Sequence, residues 1–188
     1  TYSDQVTFVL MNDQTLDTEA WQDNKIQSIS TIVTSMFTNA FVKHQLASDL
    51  DIIGDPIFAG IVFTTPNVTE AVNNLISQQV VAYKDAVTFA VKDALLAKFG
   101  DQDKVNELLN EIPTDGRKKL LLEHCDIDFD DFYPTPYTQG IICCKSPIVN
   151  NNSMIKYQWR INWDIPNFAE NQDYLNNIIT TGKDIFRS

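Results

Sequence analysis

The stretch Asn67–Gly100, NVTEAVNNLISQQVVAYKDAVTFAVKDALLAKFG, decides how the chain is built. Asn67 can cap a helix, and Glu70 stands three residues later, as in a capping box. An apolar series then runs from Val68 through Val72, Leu75, Ile76 and Tyr83 to Phe89 and Leu96, with Gly100 as a C-terminal stop. Unbroken, residues 67–99 make a helix of roughly 50 Å at about 1.5 Å per residue, long for a compact domain. Val80-Val81 and the run Val87-Thr88-Phe89-Ala90-Val91 tolerate a strand or a break. The stretch is therefore read as two helices, split near residues 77–82. The second, about 83–99, is apolar nearly all round, which implies burial between layers.

Towards the N-terminus, Gln5–Met11 (QVTFVLM) reads as a largely buried strand. A helix follows from Thr18 or Asp23 to Gln45, with Ile26, Ile29, Val33, Phe37, Ala40 and Phe41 recurring at three- and four-residue steps. Ala47–Asp55 reads as a connection, and Ile57–Thr64 (IFAGIVFT) as a second buried strand. Beyond Gly100 come a short helix over Asp103–Glu111, a turn at Pro113–Gly116 and a helix over Arg117–His124. Ile127 and Phe129 alternate with Asp126, Asp128 and Asp130, which suggests a half-buried or edge strand with acids outward. Two further strands, Thr138–Lys145 and Met154–Ile165, flank a turn at Asn150–Asn152, and a helix over Asn167–Phe186 closes the chain. The expected fold class is α+β: one domain over residues 1–188, a mostly antiparallel sheet flanked by layers of amphipathic helices.

Composition narrows the function. The chain has 188 residues, 44% hydrophobic and 21% charged, and a formal net charge of −11. Such acidity argues against a nucleic-acid partner, which needs a basic footprint to release counterions. It equally argues against electrostatic docking on anionic lipid, though not against hydrophobic insertion. No run approaches about 18 apolar residues, so no transmembrane helix is expected. The chain starts at Thr1 with no signal peptide to be read.

Residues with chemistry are few. There is no P-loop, no GxGxxG and no GxSxG elbow, and His44 and His124 read as helix-surface histidines. Asp126, Asp128, Asp130 and Asp131 are the metal candidates, since oxygen ligands at alternate positions suit a hard cation. The same carboxylates could serve an enzyme as acid and base, but no second cluster completes a site. A solvated, charge-protected edge strand is the plainer explanation of the same residues. Cys143 and Cys144 read as small sheet residues, with acylation as the functional alternative. On the long strand, Tyr157, Trp159 and Trp163 share a face with Ile155 and Ile161, while Lys156, Gln158, Arg160 and Asn162 share the other. Those rings suit core packing, with contact to membrane lipid or stacking on a ligand as the functional alternative. No cofactor is implied.

Three places resemble the cytolytic delta-endotoxins and their relative volvatoxin: the strand QVTFVLM at 5–11, the helix end Thr38-Asn39-Ala40-Phe41, and Ala59-Gly60-Ile61-Val62 leading into long apolar helices. The resemblance implies a secreted, non-enzymatic, pore-forming toxin. It would bind membrane lipid directly, move its helical layer aside and insert or assemble through its sheet, as a homo-oligomer on membranes. A second reading is a small secreted or effector-type protein that holds a lipid or acyl chain in an apolar cavity.

Overall fold

The computed structural model describes residues 5–11, 19–48, 56–149 and 155–183. Residues 49–55 of the expected connection, the Asn150–Asn152 turn, Met154, and the expected helix end at Phe186 lie outside them. The fold class is α+β: among the described residues, seven α-helices and a two-stranded antiparallel sheet. Contacts divide the chain into two compact units, one of Leu10–Pro66 and one of Thr1–Val9 with Asn67–Ser188.

The smaller unit is built on α1, Ile26–Ala47, close to the helix its periodicity predicts. Phe58 stands edge-on to both Phe37 and Phe41, with ring centroids 4.7 and 5.2 Å apart. Two residues on, the chain runs against the helix, and Ser30 Oγ donates to the Gly60 carbonyl at 3.0 Å. A Cβ at Gly60 would lie 2.2 Å from Thr34 Oγ1, so only glycine fits this approach. The expected strand at Ile57–Thr64 does not form: the segment carries no regular secondary structure, with Ile57 and Ile61 turned to solvent.

In the larger unit, α2 is one helix over Val68–Phe99, and the expected split at residues 77–82 does not occur. No glycine or proline interrupts these 32 residues, so nothing in the backbone chemistry breaks the helix. Its ends are those the sequence signalled. The Asn67 side chain accepts from the Glu70 amide at 2.9 Å, and Gly100 closes the last turn at φ 67°, its amide bonded to the Leu96 carbonyl.

Ala86, Val87, Ala90, Val91 and Leu95 form the buried stripe of α2, while Phe89 is exposed, so this half of the helix is one-sided. The short helices close over the stripe: α3 (Gln102–Leu109) with Val105 and Leu109, α4 (Thr114–Cys125) with Leu121, and α5 (Phe129–Phe132) with Phe129. A four-residue helix, α6 (Thr135–Thr138), leads into the sheet. Strand β1 (Ile142–Val149) pairs antiparallel with β2 (Ile155–Asn162), from Ile142↔Asn162 to Val149↔Ile155. Helix α7 (Gln172–Thr181) follows, and Lys183 beyond it makes a parallel bridge to Lys145.

Two other strand readings give way. Gln5–Met11 carries no regular secondary structure, and Val6, Phe8, Val9 and Leu10 are exposed. Alternation at 126–130 does not make an edge strand, because Asp126 ends α4 in the left-handed region (φ 58°) and Asp128 caps α5. Aspartate favours both conformations, and capping chemistry outweighs period-two spacing in so short a stretch.

Candidate functional site

Where α2, α4 and α5 meet, polar side chains are held on the outside of the core. Tyr83 comes from α2, its ring edge-on to Phe129 at 5.7 Å. Its hydroxyl donates to Asp130 Oδ1 at 2.7 Å. Lys118, on α4, donates to the same hydroxyl at 3.2 Å and pairs with Asp130 Oδ2. One turn-residue earlier, Arg117 donates through Nη1 to the Thr88 hydroxyl, which itself donates to the Lys84 carbonyl at 2.7 Å. Arg117 Nε is buried and has no partner. Beside Phe129, Tyr133 stacks on Tyr137, rings 4.8 Å apart and 11° from parallel.

The charges in this cluster reinforce one another. The hydrogen bond to Asp130 outweighs burial and holds Lys118 well above its ordinary value. Burial pushes the Asp130 carboxyl up, but hydrogen bonds from Lys118 and Tyr83 outweigh it, and the group falls below 3.8. Burial, and then the bond to Asp130, raise Tyr83 above 10.0. At neutral pH the cluster is therefore an ammonium, a carboxylate and a neutral phenol. Fixed cations with one buried, unpartnered guanidinium N–H suit an anionic ligand, since Arg and Lys are the phosphate-binding side chains.

Of the sequence candidates, Asp130 belongs to this cluster and the other acids do not. Asp128 accepts the Asp130 amide at 3.0 Å as a helix cap, Asp126 terminates α4, and Asp131 lies exposed in the first turn of α5. No group of three or more His, Cys, Asp or Glu among the described residues is placed to hold a metal ion. Cys143 is exposed and Cys144 buried. Trp159 is 63% exposed, Trp163 54% and Tyr157 41%, so these rings face solvent rather than a core. Tyr83, Arg117 and Lys118 went unread as site residues. The available signal was Arg117-Lys118-Lys119, three consecutive cations in a chain of net charge −11.

No protein-family model matches this chain, and no curated protein matches it. Solved structures do. One is a bacterial tRNA(His) guanylyltransferase (Thg1)-like protein in complex with ATP, with a TM-score of 0.68 and 20% identity over 90% of this chain and 65% of that one. Another is a bacterial protein of the same description in complex with GTP, with a TM-score of 0.62 and 19% identity over 90% of this chain and 63% of that one. The chain thus spans less than two thirds of the length of either.

These likenesses overturn the resemblance to cytolytic toxins. The readings that followed from it fall as well: a pore former, a membrane-lipid partner, a protein without enzymatic function; so does the separate second reading, a lipid- or acyl-binding effector. The short apolar motifs behind the resemblance, such as Ala59–Val62, are compatible with many folds and specify none. The charge argument against nucleic acid fails for a physical reason. Net charge averages the whole chain, whereas binding depends on local patches, and residues 140–163 carry Lys145, Lys156 and Arg160 with no Asp or Glu. What the likenesses establish is the fold, which this chain shares with bacterial tRNA(His) guanylyltransferase-like proteins.

Proposed function

We propose that this chain is the nucleotide-binding portion of an RNA-directed nucleotidyltransferase, taking a purine nucleoside triphosphate as ligand. The observation that carries the reading is the likeness over 90% of the chain to guanylyltransferase-like proteins in complex with ATP and with GTP. Within the chain, the Arg117–Lys118 cluster offers the chemistry such a ligand needs. Arg117 Nε is buried and unpartnered, and Lys118 is held charged between Asp130 and Tyr83. A triphosphate would take the place of Asp130 at the Lys118 ammonium, and a planar guanidinium can add bidentate contacts. Tyr133 and Tyr137 provide a stacked aromatic pair close by in sequence for a base.

Titration calorimetry with GTP and ATP tests this. Saturable binding to the intact chain is expected, weakened about tenfold by Arg117→Ala and by Lys118→Ala, as for loss of a charge-assisted contact. A chain that binds neither nucleotide at millimolar concentration sinks the reading. Binding untouched by both substitutions moves the site elsewhere in the fold.

A further inference from the structure

The β1–β2 hairpin departs from an ordinary half-buried sheet: every residue of β2 from Lys156 to Ile161 is exposed, the apolar face included. Directly paired residues share a face, so Lys145 with Trp159, Pro147 with Tyr157 and Cys143 with Ile161 stand on one side. That side faces water: Trp159, Tyr157 and Ile161 are all exposed, and Trp163, one alternation beyond β2, is exposed with them. The residues buried at this hairpin are Cys144, Ser146 and Asn162, which are small or polar. An antiparallel sheet normally turns its apolar face inward and its polar face to solvent. Three large apolar side chains on one exposed face, with exposed Trp163 just beyond the strand, mark a place where something docks.

Charge says what docks. Lys145 Nζ lies 5.7 Å from the Trp159 ring centroid, and Lys183 Nζ lies 4.2 Å from that of Tyr157. Of the paired residues on this face, Cys143, Lys145, Pro147, Tyr157, Trp159 and Ile161, none is an acid and Lys145 is the one charge; Lys156 and Arg160 stand on the other face. An apolar protein partner would bury the rings and strand the ammoniums, which is costly. An acidic peptide would match the ammoniums and leave the rings unused. A run of unpaired nucleotides uses both, because every base has a π-face to stack and every phosphate a charge to meet. Single-stranded segments are also the part of an RNA whose bases are free to splay onto aromatic side chains.

We propose that the outer face of the hairpin binds single-stranded RNA, with bases stacked on Tyr157, Trp159 and Trp163 and phosphates held by Lys145 and Lys183. The choice of RNA rests on the RNA-directed reading above; the stacking and charge arguments come from the hairpin alone. On binding, the two ammoniums leave the ring faces for phosphates while bases take their place.

Fluorescence anisotropy with a labelled single-stranded RNA of about twelve nucleotides, within the usual span of such grooves, tests the proposal on the intact chain. Trp159→Ala and Tyr157→Ala should each weaken binding about 5- to 100-fold, the usual worth of one stacked base. The double variant Lys145→Gln/Lys183→Gln should lower the slope of log K against log salt by about 1.4, at about 0.7 per neutralised phosphate. Unchanged thermal midpoints and circular dichroism show that the variants fold. RNA affinity within twofold of the parent in Trp159→Ala overturns the proposal. So does a dimer in analytical ultracentrifugation that Trp159→Ala dissociates while RNA affinity stays constant, since a second copy then covers the face. GTP binding measured alongside separates the two readings. GTP bound with RNA ignored sinks the hairpin proposal alone, and RNA bound through the hairpin without GTP supports it while sinking the nucleotide reading.

Discussion

Gln79 Oε1 accepts the backbone amide of Phe168 at 2.8 Å, a bond that spans 89 residues of chain. The same side chain donates through Nε2 to the carbonyls of Gln139 and Pro166, at 3.1 and 3.2 Å. One buried carboxamide in the middle of α2 thus pins the segment entering β1 and the segment leaving β2. The whole hairpin, with its exposed rings, is held to the long helix at its two ends.

The first prediction follows from that bond. Gln79→Leu keeps the volume but leaves an amide and two carbonyls without their partner, and each buried orphan costs about 1–3 kcal/mol. A loss of about 2–4 kcal/mol is expected, lowering the thermal midpoint by about 5–15 °C for a chain of this size. Hydrogen exchange should show the Phe168 amide opening first. A shift below 2 °C would mean that the carboxamide carries no structural weight.

How much of this was legible in the sequence depends on the range of the interaction. Asn67 and Gly100 marked both ends of α2 because caps are local chemistry, read within four residues. The interior of α2 was misread for the opposite reason. Val80-Val81 weakens helix propensity locally, but Gln79 beside it finds its partners 60 to 89 residues away, and no window contains them. The hairpin was legible as two strands. Which face it buries was not, since alternation gives two faces without saying which meets the helices. At the candidate site, Asp130 was singled out for the wrong company: its partners are Lys118 and Tyr83, 12 and 47 residues away, not the neighbouring acids.

The ion pair at that site gives the second prediction, with the sign set by the direction of each shift. Asp130 lies below its ordinary 3.8 when folded, so its stabilisation is present above about that pH and disappears as pH falls through the folded value. Lys118 lies above its ordinary 10.5, so its stabilisation is complete below that pH and fades as pH rises through the folded value. Between these limits the pair contributes about 1 kcal/mol or less, because Asp130 is largely exposed. Urea denaturation at pH 7 and at pH 3 should therefore show Asp130→Asn costing more at pH 7. An equal cost at both would place the Lys118–Asp130 contact outside the folding equilibrium.

Tyr83→Phe isolates the third member of the cluster. It removes a hydrogen bond to the Asp130 carboxylate while leaving the ring against Phe129 in place. Losing a donor to the charged form lets the carboxyl rise back towards 3.8. A carbon-detected NMR titration of Asp130 should show an upward shift in the variant. No shift, or a downward one, would remove Tyr83 from the network.

In the smaller unit the critical contact is steric. Gly60→Ala sets a methyl group 2.2 Å from Thr34 Oγ1 and 2.8 Å from Ser30 Oγ, the latter holding the Gly60 carbonyl. Something must move, at about 1–3 kcal/mol for overpacking of this kind. Limited proteolysis within residues 56–66 should accelerate in Gly60→Ala, and Thr34→Ala in the same chain should restore part of the protection by removing Oγ1. Equal cleavage rates in parent and Gly60→Ala would show that the segment does not depend on this approach.

Leu121 and Leu122 test the core with adjacent residues of one type. Leu121 is wholly buried against the α2 stripe, and Leu122, one position on around α4, is 48% exposed. Helix geometry alone separates them, since one residue is about 100° of rotation. Leu121→Ala removes buried methyl groups and leaves a cavity that the surrounding helices fill only partly, costing about 2–5 kcal/mol. Leu122→Ala gives up far less burial, and alanine is the better helix former, so about 1 kcal/mol or less is expected. Chemical denaturation of the two variants under one condition reads the contrast. If Leu122→Ala proves the costlier of the two, the α4 face assigned to the core is the wrong one, and the placement of Arg117 and Lys118 on that helix falls with it.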